Sequence, residues 1–216
     1  MASPNSTRSS GRRFLLRSPA DSTPKRFDAG ERGRYTSRLC TEPGGRAVDP
    51  LAQLLARDEM RQLAERYALA VDCRDLDSLV ALFIPDVDCG RFGSGREALR
   101  ESFESQLRKG GKSVMLVANH VIDFDGEERA HGVVYGIAEA TTPEGWMRQA
   151  IQYQDRYERR DGHWLFVRRN HQLWYGVVLP YDPMDQPPAE WPKRQIGRGT
   201  VPQCWESWRR FQEDGA

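Results

Sequence analysis

Apolar positions along this chain change their spacing twice. From Leu51 onward, Leu51, Leu54, Leu55, Met60, Leu63, Tyr67, Ala70 and Val71 recur at helical spacing. Asp49-Pro50 ahead of them supplies an N-cap and a proline suited to the first helical position, so a helix is predicted from there to about Asp72. A second, short helix is expected from Asp75 or Asp77 through Leu79, Val80, Leu82 and Phe83, stopped by Ile84-Pro85-Asp86. A brief strand around Val87, Cys89 and Phe92 and a Gly93-Ser94-Gly95 turn follow. An amphipathic helix over 96–109 then carries Leu99, Phe103 and Leu107 inward and ends at Gly110-Gly111.

Beyond Ser113 the period drops to two, and strands are predicted over 113–125, 130–141, 146–159 and 163–178. Asp125-Gly126, Thr142 to Gly145 and Asp161-Gly162 are the turns between them. Helices first and antiparallel strands afterwards define an α+β fold: a cone-like curled antiparallel sheet with three N-terminal helices across its concave side, enclosing a pocket. Alternation along the last strand puts Leu165, Val167, Arg169, His171, Leu173 and Tyr175 on one face. An arginine and a histidine on a mostly apolar face are costly to bury unpaired, so a carboxylate partner is expected inside the cone.

The two ends differ from this middle. Residues 1–47 are rich in Ser, Arg, Gly and Pro without periodic apolar spacing, and read as a disordered basic extension. A dispensable leader, an organelle transit peptide and a basic interaction arm are the competing accounts of it. Residues 48–178 hold the predicted domain. Residues 179–216 combine six prolines that prevent regular structure with Trp191, Trp205, Trp208 and Phe211. That tail is expected to pack on the domain or on a neighbouring subunit, with a short helix near 204–211.

Composition narrows the function classes. The net charge of +1 over 216 residues gives no global field for nucleic acid. No apolar run approaches a membrane span. Cys40, Cys73, Cys89 and Cys204 have neither metal nor disulfide-scaffold spacing, which favours reduced thiols in a cytoplasmic compartment. No histidine–carboxylate cluster has metal spacing, and no glycine pattern marks a phosphate or dinucleotide site, so neither metal nor cofactor is implied.

The hairpin Tyr157-Glu-Arg-Arg-Asp-Gly-His-Trp164 and the first-helix stretch Tyr67-Ala-Leu-Ala-Val-Asp72-Cys-Arg-Asp75-Leu-Asp77 resemble the SnoaL-like branch of the nuclear transport factor 2-like superfamily. The resemblance covers roughly Leu51 to Tyr175. That branch includes scytalone dehydratase, bile-acid dehydratase, lindane dehydrochlorinase, polyketide cyclases and relatives of ketosteroid isomerase; small dioxygenase β-subunits share the fold. The resemblance implies a cofactor-independent lyase or isomerase acting on a small, apolar, polycyclic substrate, in a homodimer or homotrimer. The alternative it implies is a ligand-binding or accessory subunit without catalysis.

Residue by residue, the resemblance assigns the carboxylate at the end of the first helix to Asp72, a hydroxyl donor to Tyr67 and a late-strand arginine to Arg169, so Asp72 and Arg169 are expected to pair. The family's proton-abstracting histidine, four residues before Asn119, falls on Met115, whose thioether cannot take a proton. His120 has the opposite parity to Met115 and points outward unless a bulge intervenes. His171 shares the Arg169 face and could replace it, Asp72 could act alone as a carboxylate base, or the pocket binds without chemistry. Met115, Asn119 and Tyr153 are expected to line the pocket.

Overall fold

The computed structural model describes residues 49–215. The expectations for residues 1–47 therefore lie outside the described residues. Helix α1 spans Pro50–Cys73; the Asp49 carboxylate caps it by accepting from the Leu51 amide at 3.0 Å. It ends at Arg74, which adopts a left-handed conformation (φ 60°). That turn carries the Arg74 side chain inward, where it donates to Ser113 Oγ at 2.9 Å and to the carbonyls of Val71 and Gly111. A buried side chain thus ties the end of the helix to the start of the sheet.

Helix α2 (Leu76–Ala81) is capped by Asp75, which accepts from the Ser78 amide at 3.0 Å. The chain then runs alongside the last strand: Phe166 donates to the Leu82 carbonyl at 2.9 Å and Ile84 to the Phe166 carbonyl at 3.0 Å. Where a short strand was expected around Val87 to Phe92 there is a single 3-10 turn, Gly90–Phe92, closed by one Asp88–Ser94 bridge. Helix α3 (Arg96–Leu107) buries Leu99, Ser102 and Phe103.

Strands β1 (Ser113–Phe124), β2 (Arg129–Thr142), β3 (Gly145–Arg160) and β4 (His163–Val178) form one antiparallel meander in sequence order. The sheet is curled and unclosed, and its inner face meets α1. Burial of Ile122, Val134, Ile151, Tyr157 and Phe166 against Met60, Leu63, Tyr67, Leu79 and Phe83 makes one continuous core. After β4 the chain wraps back to helix α4 (Glu206–Glu213). Phe211 of α4 enters that core, and the Ser207 hydroxyl donates to the Cys73 carbonyl at 2.7 Å. No helix among the described residues is long and apolar enough to cross a membrane.

Two bulges in this sheet decide which side chains face inward. In β1 the pairing with β2 slips between Val117 and His120, so Ser113, Met115 and Val117 face inward before the slip and His120, Ile122 and Phe124 after it. In β4 the pairing with β3 slips at Val167, so Trp164 and Phe166 share the inner face with Arg169 and His171. Leu165 and Val167, placed on that face by simple alternation, are only half-buried. A further slip between Leu173 and Tyr175 puts Tyr175 opposite Ala150, on the outer face.

Candidate functional site

Strand β3 lays Tyr153, Asp155 and Tyr157 in a row on the inner face, because alternate residues share a face and β3 pairs with β2 without interruption. The β4 bulge brings Arg169 directly opposite Asp155. The two form a bidentate pair: Nε donates to Oδ1 at 3.0 Å and Nη2 to Oδ2 at 2.9 Å. Both are buried, at 6% and 2% exposure. The guanidinium carbon lies 4.2 Å from the Tyr153 ring centre, 4.4 Å from Tyr67 and 4.6 Å from Phe166. An ion pair with its cation boxed by three aromatic rings is thus set into the core.

The chain of polar contacts continues from there. The Tyr157 hydroxyl donates to Asp155 Oδ2 at 2.9 Å, and His120 Nε2 lies 2.9 Å from the same hydroxyl. Tyr157 has one proton, and the carboxylate accepts it. The hydroxyl oxygen must therefore accept from His120 Nε2–H, which leaves Nδ1 unprotonated in the neutral ring. Nδ1 is buried and has no hydrogen-bond partner among the described residues. Burial, reinforced by the charges of Arg169 and Arg61, lowers the His120 pKa to about 4, so the ring is neutral at neutral pH. Gly132, opposite on β2, makes the contact possible: a Cβ there would lie 2.8 Å from the Val121 carbonyl and 3.1 Å from His120 Nε2.

Asp72 does not pair with Arg169, contrary to the expectation; the partner the guanidinium needed is Asp155. Asp72 instead accepts from Ser113 Oγ at 3.0 Å and from the Met115 amide at 2.8 Å, joining the end of α1 to β1. Burial raises its carboxyl pKa, opposed by those two bonds and by the nearby Arg74 charge. Nor does Asp72 meet a histidine: His120 is committed to Tyr157, and His171 packs edge-on against Tyr153 at 5.5 Å. His171 is half-buried, and desolvation lowers its pKa. Tyr67 and Tyr153 pair through their hydroxyls, and Tyr153 also reaches the Met115 sulfur at 3.9 Å. Burial raises the pKa of both phenols, so both remain protonated. Asn119, expected in the lining, is exposed at the β1 bulge.

Sequence reasoning places Tyr153, Asp155 and Tyr157 on one face of their strand but leaves open whether they line the pocket or a dimer contact; it does not find Asp155 as the partner of Arg169. The alternation Tyr153-x-Asp155-x-Tyr157 carries that shared face, while the pairing with Arg169 depends on the β4 bulge. Among the described residues, no group of three His, Cys, Asp or Glu side chains is placed to hold a metal ion.

A single curled antiparallel sheet wrapped on N-terminal helices, with a buried polar set on its inner face, defines a nuclear transport factor 2-like cone. Within that class the chain belongs to the SnoaL-like domain family, which it matches over residues 52–170, more than half its length. Solved structures agree on the fold. A type 3 hexachlorocyclohexane dehydrochlorinase from Novosphingobium barchaimii is 24% identical, with a TM-score of 0.55, and the match covers 61% of this chain and 95% of that one. A type 2 dehydrochlorinase is 23% identical at TM-score 0.54, over 61% of this chain and 93% of that one. A candidate scytalone dehydratase from Novosphingobium aromaticivorans is 23% identical at TM-score 0.52, over 63% and 97%. No curated protein matches the chain.

Proposed function

We propose that the protein is a cofactor-independent lyase or isomerase, acting on a small, apolar, fused-ring molecule, with His120 Nδ1 as the base. The observation that carries this reading is the orphaned, unprotonated Nδ1 at the end of the His120–Tyr157–Asp155 chain. In the proposed step, Nδ1 takes a proton from a carbon next to a carbonyl. The C–H electron pair moves into an enolate, or onward to expel a leaving group at the next carbon. The imidazolium formed keeps its Nε2–H donated to the Tyr157 oxygen, whose own O–H donates to Asp155, so the new charge meets a carboxylate through one hydroxyl. The protonated phenol of Tyr67 supplies a donor for the developing oxyanion. Arg169 holds the Asp155 carboxylate in place through Nε and Nη2.

The similar dehydrochlorinases and the candidate dehydratase support the reaction class by the activities in their names. A cytoplasmic homo-oligomer is part of the same reading: the outer sheet face exposes Leu116, Val121, Trp174, Tyr175 and Val177, apolar area suited to a second copy. Light scattering on the full chain should give a dimer or trimer.

A neutral fused-ring ketone such as β-tetralone in heavy water tests the chemistry without knowledge of a leaving group. Wild-type protein should catalyse deuterium uptake beside the carbonyl, and His120→Gln should lower it by about 10²–10⁴-fold. If exchange survives in His120→Gln and disappears in Asp72→Asn, the base is Asp72 and this assignment is wrong. Binding without exchange would support the second reading, an accessory binding subunit, which is favoured by Met115 standing where a family histidine is expected.

A further inference from the structure

Strand β3 carries a second polar group that neither the core nor the relay uses. Gln149 lies on the inner face four residues before Tyr153 and is only 3% exposed. Its amide makes no hydrogen bond to any described residue; every other buried polar side chain on that face of β3 is bonded. The residue is buried but its amide tip still reaches solvent, so the amide is open to exchange water for a ligand group. Packing alone would be served by leucine or methionine at this position.

Its surroundings are small. In register with Gln149 stand Ala138 on β2 and Gly176 on β4, and next along the same face of β2 stand Gly136 and Ala140. Across Ala138 comes Met115. The amide lies over the bare Gly176 backbone: a Cβ there would sit 3.5 Å from Gln149 Cγ and 3.6 Å from Nε2. Gly176 and Leu173, beside it, are exposed, so the inner face opens to solvent on the β4 side.

We propose that Gln149, with Ala138 and Gly176, forms a recess that binds the carbonyl or hydroxyl end of a flat, neutral, apolar molecule. The amide offers one acceptor and two donors and no charge, so it reads C=O or O–H. The row Met115–Ala138–Gln149–Gly176 presents no cationic side chain on this face, which disfavours an anion. The proposal deepens the functional reading and rests on it only for ligand length. The Gln149 row lies four residues from the His120–Val134–Tyr153 row, about 13 Å along the sheet. A molecule polar at Gln149 and reactive at His120 must span that distance, which fits three or four fused rings better than one.

Prodan, a neutral naphthalene bearing one ketone, is the probe, and its emission reports both binding and hydrogen bonding at the carbonyl. The wild-type full chain should bind it with blue-shifted emission. Gln149→Leu should weaken prodan by about tenfold, the value of one lost hydrogen bond to a buried carbonyl, while holding dimethylnaphthylamine, which lacks the ketone, as tightly or more tightly. Gln149→Met repeats the test should the leucine variant fail to fold. Ala138→Leu fills the recess and should exclude both probes. Absence of prodan binding by the wild type, equal losses for both probes in the Gln149 variants, or unchanged binding by Ala138→Leu would each overturn the recess. The readout is binding alone, so it fails or succeeds separately from deuterium exchange at His120.

Discussion

Arg169 holds a full charge in the middle of the core, and its neighbours are arranged to make that tolerable. Two carboxylate bonds and three ring faces replace the water it loses. Such a pair adds little net stability when intact, but losing one member leaves the other buried and unpaired. Arg169→Met should therefore cost about 3–5 kcal/mol in denaturant unfolding, and Arg169→Met combined with Asp155→Leu should recover most of it. His120 makes a separate claim on pH. Its folded pKa of about 4 lies below the ordinary 6.5. Between those values the unfolded chain binds a proton that the folded chain refuses, so stability is lost as pH falls from 6.5 towards 4. His171, also lowered, pulls the same way. Asp72, raised, pulls the opposite way, since its contribution is lost as pH rises through its folded value. The comparison must therefore be between variants: the acid-side slope of denaturation midpoint against pH should flatten in His120→Gln relative to wild type.

At the scale of elements, period and turn chemistry made the strands legible. Asp161-Gly162 adopts the positive φ values, 52° and 87°, that a two-residue hairpin turn requires, and β3 and β4 pair from it. The bulges were not legible, because one extra residue leaves no mark in composition while it inverts every side chain beyond it. A regular hairpin from that turn would set Asp155 opposite Arg168; the slip at Val167 sets it opposite Arg169. The same blindness hid His120, whose inward position depends wholly on the slip after Val117. Gly132 sits opposite Ile122, two residues past that slip, and its missing Cβ leaves room for the Val121 carbonyl, the His120 ring and Tyr157 Cε2. Gly132→Ala should push β1 away from β2 at Val121 and displace the His120 ring, at a cost of about 1–3 kcal/mol. In proton NMR the protected Nε2–H signal of His120 should vanish in that variant. Its persistence would mean that the His120–Tyr157 contact does not need the space the glycine leaves.

For the whole molecule, the segment after β4 lies outside the stretch that matches the family, yet it is attached at the end of α1, next to Asp72. The aromatic content of the tail was visible in the sequence; its docking place was not, since nothing local encodes a contact between Ser207 and the Cys73 carbonyl. Helix α4 has only eight residues, too few to persist alone in water, so its order must come from what it touches. Phe211 is 5% exposed, its carbonyl accepts from Arg108, and the Arg108 guanidinium carbon stands 4.0 Å from its ring centre. Phe211→Ala removes the buried ring and the cation's partner together and should lower stability by about 3–5 kcal/mol. Arg108→Leu keeps apolar contact with the ring and should cost less than half as much. Hydrogen exchange separates local release from global weakening. If α4 is an added clasp, amides over 206–213 lose protection in Phe211→Ala while those of β3 retain it. Equal loss in β3 would make the helix part of the same cooperative unit as the sheet, and the end of α1 beside Asp72 would then depend on the tail for its position.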